Sequence, residues 1–201
     1  TASTFSFFTK TKSLISSLTE ISYPLKVERS IPVFSDRLSI FEYGSLSVEN
    51  QSVDAMDFTI SKHIEVITES QNAWDTGLSL RNTTSIAKDD LILLGFWAKQ
   101  TSGPSQVFVF AENGVDYEKE FYLPLSFTPD WTQYYVAFRA SESFDIGSLQ
   151  AGFHLASLQQ TIDIAGLNAI NFKDNYSVDD LPSSYSSFNY DGRELDAPWR
   201  G

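Results

Sequence analysis

Two histidines are the first residues to weigh, because imidazole trades protons near neutrality. His63 stands in "SKHIEVITES" and His154 in "AGFHLAS", far apart in the chain. No G-x-S-x-G elbow accompanies them and no His-rich metal spacing occurs, so nothing in the spacing announces a nucleophile and its base. The carboxylates offer a second chemistry, glycosidic acid–base catalysis. Asp89–Asp90 and Asp179–Asp180 are adjacent pairs, and Glu118 and Glu120 alternate. Neighbours on a strand face opposite ways, so Asp89 and Asp90 diverge if extended, while Glu118 and Glu120 share a face. The plain expectation is solvated charge at strand ends. The alternative is a carboxylate pair assembled from residues distant in sequence. With no cysteine in the chain, disulfides, thiol catalysis and cysteine-bound zinc are excluded.

The tryptophans point to binding rather than reaction. Trp97, in "GFWAKQ", shares its strand face with Lys99, which leaves Phe96 and Ala98 as the core candidates. Trp131 opens a strand after "TPD" and reads as an edge-packing residue, with Val136 and Phe138 beyond it on one side. Trp74 lies among Gln71, Asn72 and Asp75 in "ESQNAWDTGLSL", with little apolar company. An indole there either plugs a local hollow or stacks on the C–H face of a sugar ring while the polar neighbours bond hydroxyls.

These side chains must be positioned by strands. Short runs rich in Val, Ile, Phe, Tyr and Thr recur between Gly, Asp, Asn, Ser and Pro from "KVERSIPVF" onward. The clearest are "SKHIEVITES", "DTGLSLRNT", "DDLILLGFWAKQ", "SQVFVFAEN", "EKEFYLPLSF", "TQYYVAFRAS", "LQAGFHLAS" and "QTIDIAGLNAINF". No long 3.6-residue period separates them. The expected class is all-β, a two-sheet antiparallel sandwich with jelly-roll topology. Residues 1–175 are assigned to this domain and 176–201 to a tail or linker rich in Pro, Ser, Asp and Gly. Residues 1 to 25 read as a short helical turn or an irregular lead-in.

The 201 residues carry 14 basic and 26 acidic side chains, a formal net charge of −12. Such a surface repels phosphate backbones, so nucleic acid and anionic membranes are poor partners, while neutral polymers, cations and basic proteins remain. No apolar stretch is long enough to span a bilayer. "TASTFSFFTK" has no basic start leading into an apolar run, so a signal peptide is absent or already removed.

In the order "HIEVITESQNAWDTGLSL", "LILLGFWAKQ", "FTPDWTQYYVAF", "AGFHLASLQQTIDIAGLNAINF", residues 53 to 173 resemble carbohydrate-binding modules. The type is the jelly-roll module found with xylanases and glucanases, of galactose-binding-like fold. "YDGRELDAPWR" is similar to the connector that precedes family-10 xylanase-like catalytic domains. The resemblance implies sugar stacking at Trp74 beside Asp75, a second platform at Tyr117 and a hydrogen-bonding side chain at Lys119. It also sets His154 in a polar cleft, on the strand face opposite Phe153 and Leu155. On that reading His154→Ala costs binding and little stability. Related modules hold a structural calcium through an Asp in the last strand, where this chain has Ala165, so no cofactor is expected to be required.

The function implied is non-catalytic binding of a plant or algal polysaccharide, xylan or β-glucan, that targets an attached glycoside hydrolase. The module would be monomeric and secreted or on the cell surface, with a poly- or oligosaccharide as partner. A galactose-binding-like fold also serves protein interaction or adhesion without sugar specificity, and this is the alternative. A stand-alone glycoside hydrolase is the third reading.

Overall fold

The computed structural model describes residues 31–35, 40–56, 58–173 and 176–181. The lead-in of residues 1 to 25 and the connector-like "YDGRELDAPWR" lie outside them. The described residues form eleven strands: β1 (Ile31–Ser35), β2 (Phe41–Tyr43), β3 (Leu46–Ser52), β4 (Ile60–Val66), β5 (Gly77–Arg81), β6 (Leu91–Ser102), β7 (Val107–Asn113), β8 (Lys119–Leu125), β9 (Thr132–Arg139), β10 (Leu149–His154) and β11 (Thr161–Asn171). Each of the eight segments singled out by composition overlaps one of β4 to β11, with β4 starting one residue before its segment and β6 running two residues past its own.

The strands make two antiparallel sheets, as expected. One runs β3-β4-β11-β6-β9, with β1 also pairing β11; the other runs β2-β5-β10-β7-β8. Apart from the β7–β8 hairpin, successive strands from β4 onward alternate between the sheets, so each inner face is built from segments distant in sequence. Alternation along each strand then fills the space between them. Phe96 and Ala98 of β6, Val136 and Phe138 of β9, and Phe153 of β10 are all buried there. Aromatic edges bridge the layers: Phe96 meets Phe153 with ring centroids 4.9 Å apart, and Phe121 meets Phe138 at 5.1 Å. Such pairs add about 1 kcal/mol each beyond the area they bury.

A second apolar cluster covers part of the outer face of the six-stranded sheet. Leu91, Leu93, Tyr135 and Ile170 are buried there under Phe172 and Leu181, with Tyr176 packed alongside. The Arg139 Nη2 donates to the Tyr176 carbonyl at 2.6 Å. The start of the segment assigned to the tail thus rests on the sandwich.

Two of the carboxylates expected to be solvated are not. Asp90 is buried, with its Oδ2 accepting from Asn171 Nδ2 at 2.6 Å and lying 2.8 Å from Lys173 Nζ. Those contacts hold its carboxyl below the usual range against the opposing effect of burial. Glu120 is buried as well, accepting from the Ser141 hydroxyl at 2.5 Å and the Ser141 amide at 2.9 Å. A register shift between Ala111 and Glu112, opposite Lys119 and Phe121, turns Glu120 out of the alternation it would otherwise share with Glu118. Both acids tie strands to loops.

Candidate functional site: the outer face of the five-stranded sheet

Strand register composes this face row by row. Arg81, Gln150, Glu112 and Lys119 lie opposite one another across β5, β10, β7 and β8. The next row on the same face is Phe41, Ser79, Gly152, Phe110 and Tyr122, and the one after it is Tyr43, Gly77, His154, Phe108 and Pro124. A polar row therefore borders two rows dominated by rings.

The rings form a continuous run from β2 to β8. Phe41 stacks on Tyr43 at 5.8 Å, and Tyr43 meets the edge of His154 at 6.5 Å. His154 stacks on Phe110 at 4.1 Å and lies 5.5 Å from Tyr122, which stacks on Phe108 at 4.8 Å with only 8° between planes. Glycine makes this possible, since a Cβ at Gly77 would stand 2.6 Å from the Tyr43 hydroxyl. At Gly152 a Cβ would collide with the backbone of β5.

The polar row is internally bonded. Gln150 Nε2 donates to Glu112 Oε1 at 2.6 Å, and the Lys119 ammonium pairs with Glu112 Oε2. Lys119 Nζ also sits 5.7 Å and 5.6 Å from the ring centroids of Phe110 and Tyr122. Burial pushes this ammonium down to about 8. Arg81 Nη1 donates to the Gly147 carbonyl at 2.8 Å.

His154 is on the cleft face, opposite Phe153, but it does not stand open there. It is only 4% exposed, packed between Phe110, Tyr122 and Tyr43. Burial, helped by the Lys119 charge, pushes its imidazole down to about 3, so it is neutral at any physiological pH. No protein group bonds its Nδ1. Neutral imidazole keeps one donor and one acceptor, so this ring offers hydrogen bonding without charge. The expectation that its removal spares the fold is corrected by this packing.

The other expected residues stand at the two ends of the face. Trp74 sits in a 3₁₀ turn, Ala73–Asp75, and is 57% exposed. The turn is held to the end of β10, where the Ala156 amide donates to the Ala73 carbonyl at 3.0 Å and the Leu155 amide to the Thr76 carbonyl at 2.8 Å. Asp75 is occupied locally by the Ser70 hydroxyl and by Asn72 Nδ2. Tyr117 is 62% exposed in the β7–β8 turn, at the opposite end of β10, because Leu149 pairs with Asn113. Its φ of 65° is the left-handed region, costly for a bulky side chain. A strained, exposed ring in a turn that Asn or Gly would occupy without cost is the kind of outlier found at ligand contacts.

Lys119 and His154 thus share the face, while Trp74, Asp75 and Tyr117 flank it. Tyr43, Phe108, Phe110, Tyr122, Glu112 and Gln150 were not singled out from sequence. In "SQVFVFAEN" both alternating sets are apolar, so alternation alone does not say which set faces outward.

Chemically the face is suited to holding a neutral polyol. Among the described residues its strands place one carboxylate on it, Glu112, and that group is bonded by two neighbours. No three His, Cys, Asp or Glu side chains converge among the described residues, and Ala165 is buried on β11.

No family model and no curated protein matches the sequence. Solved structures do. A chain reported as "CBM4 structure and function" superposes with a TM-score of 0.54 at 15% identity, over 70% of this chain and 94% of that one. The CBM22-1 xylan-binding domain of Paenibacillus barcinonensis Xyn10C gives 0.51 at 16%, over 67% and 86%. The N-terminal CBM22-1-CBM22-2 tandem domain of the same protein gives 0.55 at 14%, over 78% and 49%. At these identities the likeness is one of fold, and it is the jelly-roll sandwich.

Proposed function

We propose that this chain is a non-catalytic carbohydrate-binding module and that the outer face of the five-stranded sheet holds the polysaccharide. The observation that carries this reading is the run of rings from Phe41 to Phe108 around an uncharged His154, bordered by the Arg81–Gln150–Glu112–Lys119 row. The exposed ring of Phe41 and the half-buried rings of Tyr43 and Phe108 supply contact area to sugar C–H surfaces, held in place by the buried Phe110, Tyr122 and His154, while the exposed Arg81 and half-buried Lys119 at the border reach hydroxyls. The fold neighbours, among them a xylan-binding domain, support xylan or a related neutral β-linked glucan as ligand. The chain works as a monomer that anchors an attached glycoside hydrolase outside the cell, with no cofactor and no structural calcium required.

Affinity electrophoresis against soluble xylan, mixed-linkage β-glucan and galactan tests it. Retardation by one or more neutral polysaccharides, weakened in Tyr43→Ala with the fold intact by circular dichroism, is the expected result. Absence of retardation in every gel would move the chain to the protein-interaction reading of the same fold. Release of reducing sugar by the purified chain would overturn the non-catalytic assignment.

A further inference from the structure

The tryptophans at positions 97 and 131 take no part in that face; they belong to the outer face of the other sheet. Register sets Ala165, Trp97 and Gln133 in one row across β11, β6 and β9, and Ser61 follows on β4 one residue past the last β4–β11 pair, Lys62 with Ile164. The row above holds His63, Asp163 and Lys99, and the row below Asn168, Gly95 and Tyr135. Phe58, half-buried in the β3–β4 loop, lies 5.9 Å from the Trp97 ring and 4.9 Å from that of Trp131. Lys99 Nζ stands 5.1 Å from the Trp131 ring centroid.

Three residues on this face carry buried polar atoms that no protein group bonds: Ser61 Oγ, Gln133 Nε2 and Asn168 Oδ1. Ser61 itself is only 1% exposed. Leaving a buried donor or acceptor unpaired is costly, so three in adjoining rows mark a place built to be completed. Their chemistry is a hydroxyl, an amide N–H and an amide carbonyl, all uncharged. The nearby charges are already matched, with Asp163 lying 2.6 Å from His63 Nδ1 and 3.1 Å from Lys99 Nζ.

We propose that the outer face of the six-stranded sheet around Trp97 and Trp131 is a second carbohydrate-contacting surface, taking one neutral sugar ring. The ring lies against Trp131 and its hydroxyls bond Gln133 Nε2, Ser61 Oγ and Asn168 Oδ1 once Phe58 swings aside. This rests on the chain being a carbohydrate binder, and it makes that binder two-sided, able to join two polysaccharide chains.

The test is a titration of the nitrogen-labelled chain with xylohexaose, and in parallel with cellohexaose, following the indole N–H signals of Trp97 and Trp131. These signals are expected to shift along a saturation curve of their own, unchanged in Tyr43→Ala. The pair Ser61→Ala and Gln133→Ala should weaken that curve about twentyfold, the worth of two hydrogen bonds. The same pair should not lower the melting temperature, since it removes unpaired buried groups; a fall of many degrees would make the cluster structural and overturn the proposal. Signals that stay fixed while Tyr43 and Trp74 respond would overturn it and leave the first face standing, the polar atoms then being water sites. Signals fixed everywhere, with both oligosaccharides, would remove the second surface together with the proposed function.

Discussion

The two histidines sit on the outer faces of the two sheets and meet opposite surroundings. His63 is half-buried beside charge: its Nδ1 is 2.6 Å from Asp163 Oδ1, and Lys99 holds the other carboxylate oxygen at 3.1 Å. His154 is buried among rings, stacked on Phe110, with its imidazole pushed down to about 3. The backbone around each is the same kind of antiparallel ladder. What differs is what the register brings alongside: Glu49 and Asp163 flank His63, with Lys99 beyond Asp163, whereas Gly77 and Phe108 flank His154. One histidine is held in a charge network, and the other is kept neutral among rings.

The largest effect that sharpens this contrast is in acid. His154 has a folded-state pKa below its unfolded value near 6.5, so the folded chain binds fewer protons than the unfolded one. Stability present above pH 6.5 is therefore lost as the pH falls towards 3, by on the order of 4 kcal/mol at the low end. Urea unfolding between pH 7 and 4 should show this slope in the native chain and a much flatter one in His154→Gln. Equal slopes would mean that the imidazole is hydrated and the contrast false.

Next in size is simple truncation. At pH 7, His154→Ala opens a cavity under Phe110 and Tyr122 and should cost about 3 kcal/mol, roughly 6 to 12 °C in melting temperature. His63→Ala should cost under about 1 kcal/mol, because water reaches its ring and Lys99 still pairs with Asp163. A calorimetric scan of the two variants side by side compares them directly. Lys99→Met comes third, at about 1 to 2 kcal/mol: Asp163 is 1% exposed and would depend on His63 alone.

The contrast also marks what the chain discloses before it folds. Alternation picked out Phe96 and Ala98 as core residues, put Val136 and Phe138 together on one side, and set Phe153 opposite His154; all five prove to be buried between the sheets. It could not orient Phe108 and Phe110, whose strand is apolar on both sides. Nor could it find Tyr43, whose strand has three residues and gains its place only by pairing with β5. Asp90 and Glu120 looked solvated since their partners Lys173 and Ser141 lie 83 and 21 residues away. Local sequence carries the faces of strands well; pairings made by the fold are invisible in it.

The smallest effect concerns the two ends of the ring face, where Trp74 and Tyr117 stand exposed. They are separated by the length of β10, five steps of about 3.3 Å, or roughly 17 Å. A ligand lying along the face reaches both, and a ligand confined to the His154 end reaches Trp74 alone. Trp74→Ala should weaken binding about tenfold, the larger loss because indole offers more stacking area, and Tyr117→Gly about threefold. At that separation the two losses should add in the double variant. Stability should move the other way at Tyr117. Glycine adopts its φ of 65° without steric cost, so Tyr117→Gly should gain about 1 kcal/mol in unfolding while losing affinity. Calorimetric titration with xylohexaose, paired with thermal unfolding of the same samples, reads both quantities. A Tyr117→Gly chain that is more stable and binds as tightly as the native one would confine the ligand to the Trp74 end and reduce the turn to strain without purpose.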